Sequence, residues 1–170
     1  MAEEKSLTYD SVSAGETIRL GRNLGCNLQA GDVVALIGEL GSGKTWFAKG
    51  IGLGLGVPAD TVITSPSFSL MNVYEGRYPF YHIDGYRLEN LSDFLSAGLD
   101  EYLYQDGIAA VEWADRWPEI LPDWHVRIEI LITGDTSRRI CLSGFHPRAL
   151  EILDAMSLMS RNRVSFEPDR

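Results

Sequence analysis

Residues 32–45 read Asp32-Val33-Val34-Ala35-Leu36-Ile37-Gly38-Glu39-Leu40-Gly41-Ser42-Gly43-Lys44-Thr45, and this stretch decides the fold class. Val33 to Ile37 is an unbroken aliphatic run between glycines, the pattern of a short strand covered on both faces. Gly38 to Thr45 then satisfies G-x-x-x-x-G-K-[ST], and a helix is expected from Lys44 to about Leu53. Glycines let backbone N–H groups curl around phosphate oxygens, and the start of a helix adds partial positive charge. On this reading Glu39, Leu40, Gly41, Ser42, Gly43, Lys44 and Thr45 bind a nucleotide. Lys44 meets the β- and γ-phosphates and the Thr45 hydroxyl ligates Mg²⁺. The competing reading is a glycine-rich turn with an incidental lysine. Lysine is scarce, however: Lys5, Lys44 and Lys49 are the only three among 15 basic residues.

A phosphate loop binds nucleotide; hydrolysis also needs an acid at a strand end to hold the metal or its waters. Two candidates follow apolar runs. Glu112 ends Ile108-Ala109-Ala110-Val111, and Asp84 ends the more mixed Tyr78 to Ile83. Each is otherwise a solvated acid at a strand terminus. His82 is either a catalytic group or, more commonly for one histidine among aromatics, a packed or surface residue. Ser65-Pro66-Ser67 occupies the place of a γ-phosphate-sensing switch, or is a proline turn entering a strand.

Outward from the loop, apolar spacing predicts a helix from Ser13 to Leu28 and another over Asn90 to Tyr104. Strand pairs are expected at Ser67–Tyr74 with Tyr78–Asp84, and at Val126–Thr133 with Arg139–Leu142. Gly50, Gly52, Gly54 and Gly56 are expected to fray or stop the second helix, because each interior glycine costs about 1 kcal/mol relative to alanine. Helical spacing returns from Pro147 to about Ser160, and the last ten residues read as frayed. No linker divides the chain. The pattern predicts an α/β fold: one P-loop NTPase-like domain over 1–170, with a mixed parallel and antiparallel sheet flanked by helices.

The chain has 170 residues, 15 basic against 24 acidic, for a net charge of −9. A tight nucleic-acid binder would need a basic stripe instead. The longest aliphatic run falls far short of the roughly 20 residues that span a bilayer, so no membrane segment is expected. Cys26 and Cys141 lie far apart behind a charged start, Met1-Ala2-Glu3-Glu4-Lys5, and a reducing cytoplasm is the expected location. No guanine-reading Asn-Lys-x-Asp string occurs, which favours adenine as the base.

Four strings, in order and approximate spacing, resemble the TsaE (YjeE) family of bacterial ATPases in tRNA threonylcarbamoyladenosine biosynthesis. They are GELGSGKT at Gly38–Thr45, TSPSFSL at Thr64–Leu70, HIDGYRL at His82–Leu88 and VEW at Val111–Trp113. The resemblance runs from about Gly15 to Pro122; the tail beyond Pro147 carries no recognised motif. It implies an ATPase that acts with a TsaD-type transferase and a TsaB-type companion to modify adenosine 37 of ANN-reading tRNAs, meeting tRNA only through that complex. It also implies Thr45 and Glu112 as holders of magnesium, Asp84 as the second acid of the catalytic site, Trp113 beside the nucleotide or a partner, and Ala14 to Thr17 along the adenine. Ser67 stands where the family commonly has threonine. Arg87 contacts a partner or the γ-phosphate, or is a plain surface residue. No arginine is placed as a finger, so turnover by the isolated chain is expected to be slow. Two other functions fit a glycine loop with an acid: a small-molecule kinase and a nucleotide-switched binding module.

Overall fold

The computed structural model describes residues 3–164. The aliphatic run forms β2 (Val33–Ile37), and its burial explains the absence of alternation. Val34 and Leu36 pack on one face with Phe47, Ile51 and Ile152, whereas Val33, Ala35 and Ile37 pack on the other with Phe94, Leu103 and Trp117. Helices thus cover both faces of the sheet.

Chain order is β1 (Lys5–Ser11), α1 (Ala14–Cys26), β2, α2 (Lys44–Gly54), β3 (Met71–Glu75), β4 (Pro79–Asp84), α3 (Leu91–Ser96), a 3₁₀ turn (Leu99–Tyr104), β5 (Ile108–Glu112), β6 (Val126–Ile132), β7 (Arg138–Gly144) and α4 (Pro147–Val164). The seven strands lie in the order β1-β7-β6-β2-β5-β4-β3. β6, β2, β5 and β4 are mutually parallel, and antiparallel pairs close both edges. The mixed α/β sheet expected from the sequence is present. Among these residues no helix is long and apolar enough to cross a membrane.

Several boundaries differ from expectation. β1 was not read from the sequence: its only apolar residues, Leu7 and Tyr9, pack against the core from an otherwise polar edge strand. The strand expected from Ser67 starts at Met71, because Leu70 closes a turn onto Pro66 O at 2.7 Å with φ 67°. The helix expected over Asn90 to Tyr104 breaks at Gly98, in the left-handed region at φ 71°, and resumes as the 3₁₀ turn. α4 extends the expected tail helix to Val164; from residue 165 the frayed end expected over 161–170 lies outside the described residues. Arg148 ties α4 to the start of β2 through two hydrogen bonds to buried Asp32, at 2.9 and 2.7 Å, and one to Asn27 O. The hydrogen bond to Asp32 raises the pKa of Arg148.

α2 stops at Gly54, inside the glycine run and one residue from the expected Leu53, yet it passes through Gly50 and Gly52 as regular helix. A Cβ at Gly50 would lie 2.1 Å from Ile18 O, and one at Gly54 2.3 Å from Arg22 O. Gly50 and Gly54 are therefore the contact at which α1 and α2 meet backbone to backbone, and tertiary packing overrides the local helix penalty. Ser13 caps α1 by accepting from Glu16 N at 3.1 Å, while Glu16 accepts from Val12 N at 2.8 Å.

Gly50→Ala is expected to lower stability in denaturant unfolding by about 1–3 kcal/mol through overpacking. Gly15→Ala, whose Cβ would meet nothing nearer than Ser13 Oγ at 3.7 Å, should not destabilise.

Candidate functional site

The glycine loop leaves the carboxyl end of β2 and turns into α2 with Gly41 at φ 80° and Gly43 at φ 107°, both left-handed. Lys44 follows, largely buried. Its ammonium donates to Gly38 O at 2.6 Å and Glu39 O at 3.0 Å, and lies 3.9 Å above the centre of the Trp113 ring. Trp113 reaches that position at φ 61°, a conformation rare for a non-glycine residue, directly after β5. Burial lowers the Lys44 pKa, opposed in part by Glu112 and Asp84.

The parallel register sets Glu112 beside Leu36 of β2 and beside Asp84 of β4, so both acids end their strands next to the loop. Glu112 Oε1 accepts from the Thr45 hydroxyl at 2.9 Å and pairs with His82 Nε2 at 2.8 Å. His82 is fully buried, stacked with Phe80, and its Nδ1 has no partner. Both Asp84 oxygens are engaged: Oδ2 accepts from the Ser65 hydroxyl and Oδ1 from Tyr86 N at 2.9 Å.

A cleft of about 380 Å³ is lined by Lys44, Thr45, Asp84, Glu112 and Trp113 together with Leu40, Gly41, Gly43, Trp46, Ser65, Ser67, Tyr86 and Arg87, with His82 buried behind it. Ala14 and Thr17 lie apart from it, in an adjoining cleft of about 260 Å³ shared with Ser42, Gly43, Trp46, Asp135, Thr136 and Arg138. The Thr17 hydroxyl is 2.9 Å from that of Ser11. Gly43 and Trp46 border both clefts. Glu39 and Pro66 line neither: Glu39 presents its carbonyl to Lys44, and Pro66 anchors the Leu70 turn. Sequence reasoning did not find Trp46 or Arg138, and left His82 between two readings.

The TsaE family model, described as threonylcarbamoyl adenosine biosynthesis protein TsaE, matches residues 11–140. The chain belongs to the TsaE family. The TsaE of Treponema pallidum is 43% identical over 133 residues, covering 78% of this chain and 97% of that protein. The TsaE of Bacillus subtilis is 36% identical over 154 residues, or 90% of this chain and 95% of that one. Both carry the description tRNA threonylcarbamoyladenosine biosynthesis protein. The crystal structure of Bacillus subtilis YdiB superposes with a TM-score of 0.80 at 32% identity, covering 94% of this chain and 99% of that one. The TsaE match extends beyond the 15–122 span of the sequence resemblance to take in β6 and the start of β7, and it ends before α4.

The buried His82–Glu112 pair makes a measurable claim. A double-mutant cycle with His82→Phe and Glu112→Ala, read by denaturant unfolding, should give a coupling of about 1.5–3 kcal/mol, the range for a hydrogen bond to a charged group. Additive effects would mean that the contact contributes nothing.

Proposed function

We propose that this chain is the ATP-binding and ATP-hydrolysing subunit in threonylcarbamoyl modification of adenosine 37 in ANN-reading tRNAs, working with a TsaD-type transferase and a TsaB-type companion. The observation that carries the reading is the convergence of Lys44, Thr45, Glu112 and Asp84 at the carboxyl ends of β2, β5 and β4, beside a left-handed glycine loop. The descriptions of the Treponema and Bacillus relatives support the pathway.

The donor set fits magnesium. The Thr45 hydroxyl and the Glu112 carboxylate are hard oxygen ligands in direct contact, and Mg²⁺ takes one or two such groups and completes its shell with water and substrate phosphate. When bound, the ion supplies charge neutralisation along the phosphates. The chain's own residues do the rest. The loop amides and Lys44 offset triphosphate charge, which requires the ammonium to exchange Gly38 O and Glu39 O for phosphate oxygens. His82 and Thr45 fix Glu112 through one of its oxygens and leave Oε2 for the metal or its waters. Asp84 orients the attacking water, and Ser65, bonded to it, joins the Ser65-Pro66-Ser67 segment to that acid. The Ala14–Thr17 cleft takes the adenine. Catalysis of this kind is positioning and charge stabilisation, and partner proteins complete it. With a charge of −9, the chain leaves the tRNA to its partners. Free thiols at Cys26 and Cys141 suit a reducing cytoplasm.

The test is reconstitution of tRNA modification with purified partners, following ATP consumption in parallel. Wild type should support both, and Lys44→Ala and Glu112→Ala should lose both. Full modification by Glu112→Ala would refute the hydrolytic role and leave a nucleotide-switched binding module.

A further inference from the structure

Arg138 opens β7, and its guanidinium donates to four backbone carbonyls. Nε reaches Ser42 O at 2.9 Å and Nη2 reaches Gly41 O at 3.1 Å, both in the glycine loop. Nη1 reaches Gly134 O at 3.0 Å and Ser137 O at 2.8 Å, both in the turn between β6 and β7. Among the described residues no carboxylate pairs with it, and four of its five N–H donors are spent on joining two loops that are some ninety residues apart in sequence. A planar fork can span two loops in this way; a lysine ammonium, a point donor, cannot.

Two consequences follow from the geometry. A trans peptide unit points its C=O and N–H to opposite sides, so drawing Ser42 O onto Arg138 turns the Gly43 N–H the other way. Gly43, at φ 107°, borders both clefts. The turn held by the other half of the fork carries Asp135 and Thr136, which face Ala14 and Thr17 across the smaller cleft.

We propose that Arg138 is a positioning residue that fastens the Asp135–Thr136 wall of the base-side cleft to the phosphate-binding loop, so that base recognition and phosphate binding are coupled. It rests on the nucleotide-binding reading above and adds a determinant of nucleotide selectivity. The ligand class is a nucleoside di- or triphosphate, whose base and phosphates are gripped together.

The test is calorimetric binding of ADP and of inorganic pyrophosphate to the full chain, with thermal unfolding of the unliganded protein alongside. Wild type should bind ADP more tightly than pyrophosphate. Arg138→Met should weaken ADP by about tenfold or more, the scale of a lost charge-assisted hydrogen bond, and narrow the ADP-to-pyrophosphate ratio. Arg138→Lys, which keeps the charge but loses the fork, should narrow it too, and carries the test if the methionine variant does not fold. Thr136→Ala should weaken ADP and leave pyrophosphate unchanged. A wild-type ratio in both Arg138 variants overturns the proposal, whether all affinities are unchanged or all fall together with a lowered melting temperature. Restoration of the wild-type ratio by lysine overturns it as well. Failure of wild type to bind either ligand would instead refute the nucleotide-binding reading.

Discussion

Parallel pairing of β2, β5 and β4 is the constraint on which the site depends. Parallel strands hold a common direction, so their carboxyl ends share one edge of the sheet, where ligands gather in open α/β folds. The register then sets Leu36 beside Glu112 and Glu112 beside Asp84. A slip of one residue would turn each acid to the opposite face. Helices on both faces bury these strands, which is why the polar groups at their ends are placed by hydrogen bonds instead of water.

The second constraint is the seat of α2. Its first residues present Lys44 and Thr45, and its position is set by glycine-to-backbone contact with α1. The closeness of that contact leaves little freedom at the helix start. Lys44 is correspondingly desolvated, its pKa lowered by burial and its ammonium held by loop carbonyls and the Trp113 ring. On the proposed nucleotide-binding reading, a cation held in this state exchanges its carbonyl partners for phosphate charge.

What the sequence disclosed follows the range of each interaction. The glycine loop, Glu112 and Asp84 were legible because each is defined by its immediate neighbours: a run of aliphatics, then a polar residue at its end. His82 resisted because its function lies in a contact thirty residues away, and its neighbours look like packing. Arg138 gave no signal at all, since the carbonyls it bonds in the glycine loop carry no side-chain pattern. The end of α2 was legible in its glycine run, but the packing role of Gly50 and Gly54 was not. Their local penalty was visible, but the helix they face, with its own Gly21 and Gly25, becomes a partner only in three dimensions. β1 escaped notice because an edge strand needs only one apolar face, and Leu7 and Tyr9 are all it shows. Membership of a tRNA-modification family does not require this acidic chain to grip nucleic acid along its whole surface.

The central claim is that this loop, with Lys44, Thr45 and Glu112, receives the phosphates and magnesium of ATP. A crystal structure of the full chain with magnesium and a non-hydrolysable ATP analogue tests it most directly. The account predicts phosphates on the Gly41–Thr45 amides, Lys44 transferred from the Gly38 and Glu39 carbonyls to phosphate oxygen, and the metal beside Thr45 and Glu112. Nucleotide bound elsewhere, with Lys44 still on those carbonyls, would contradict it.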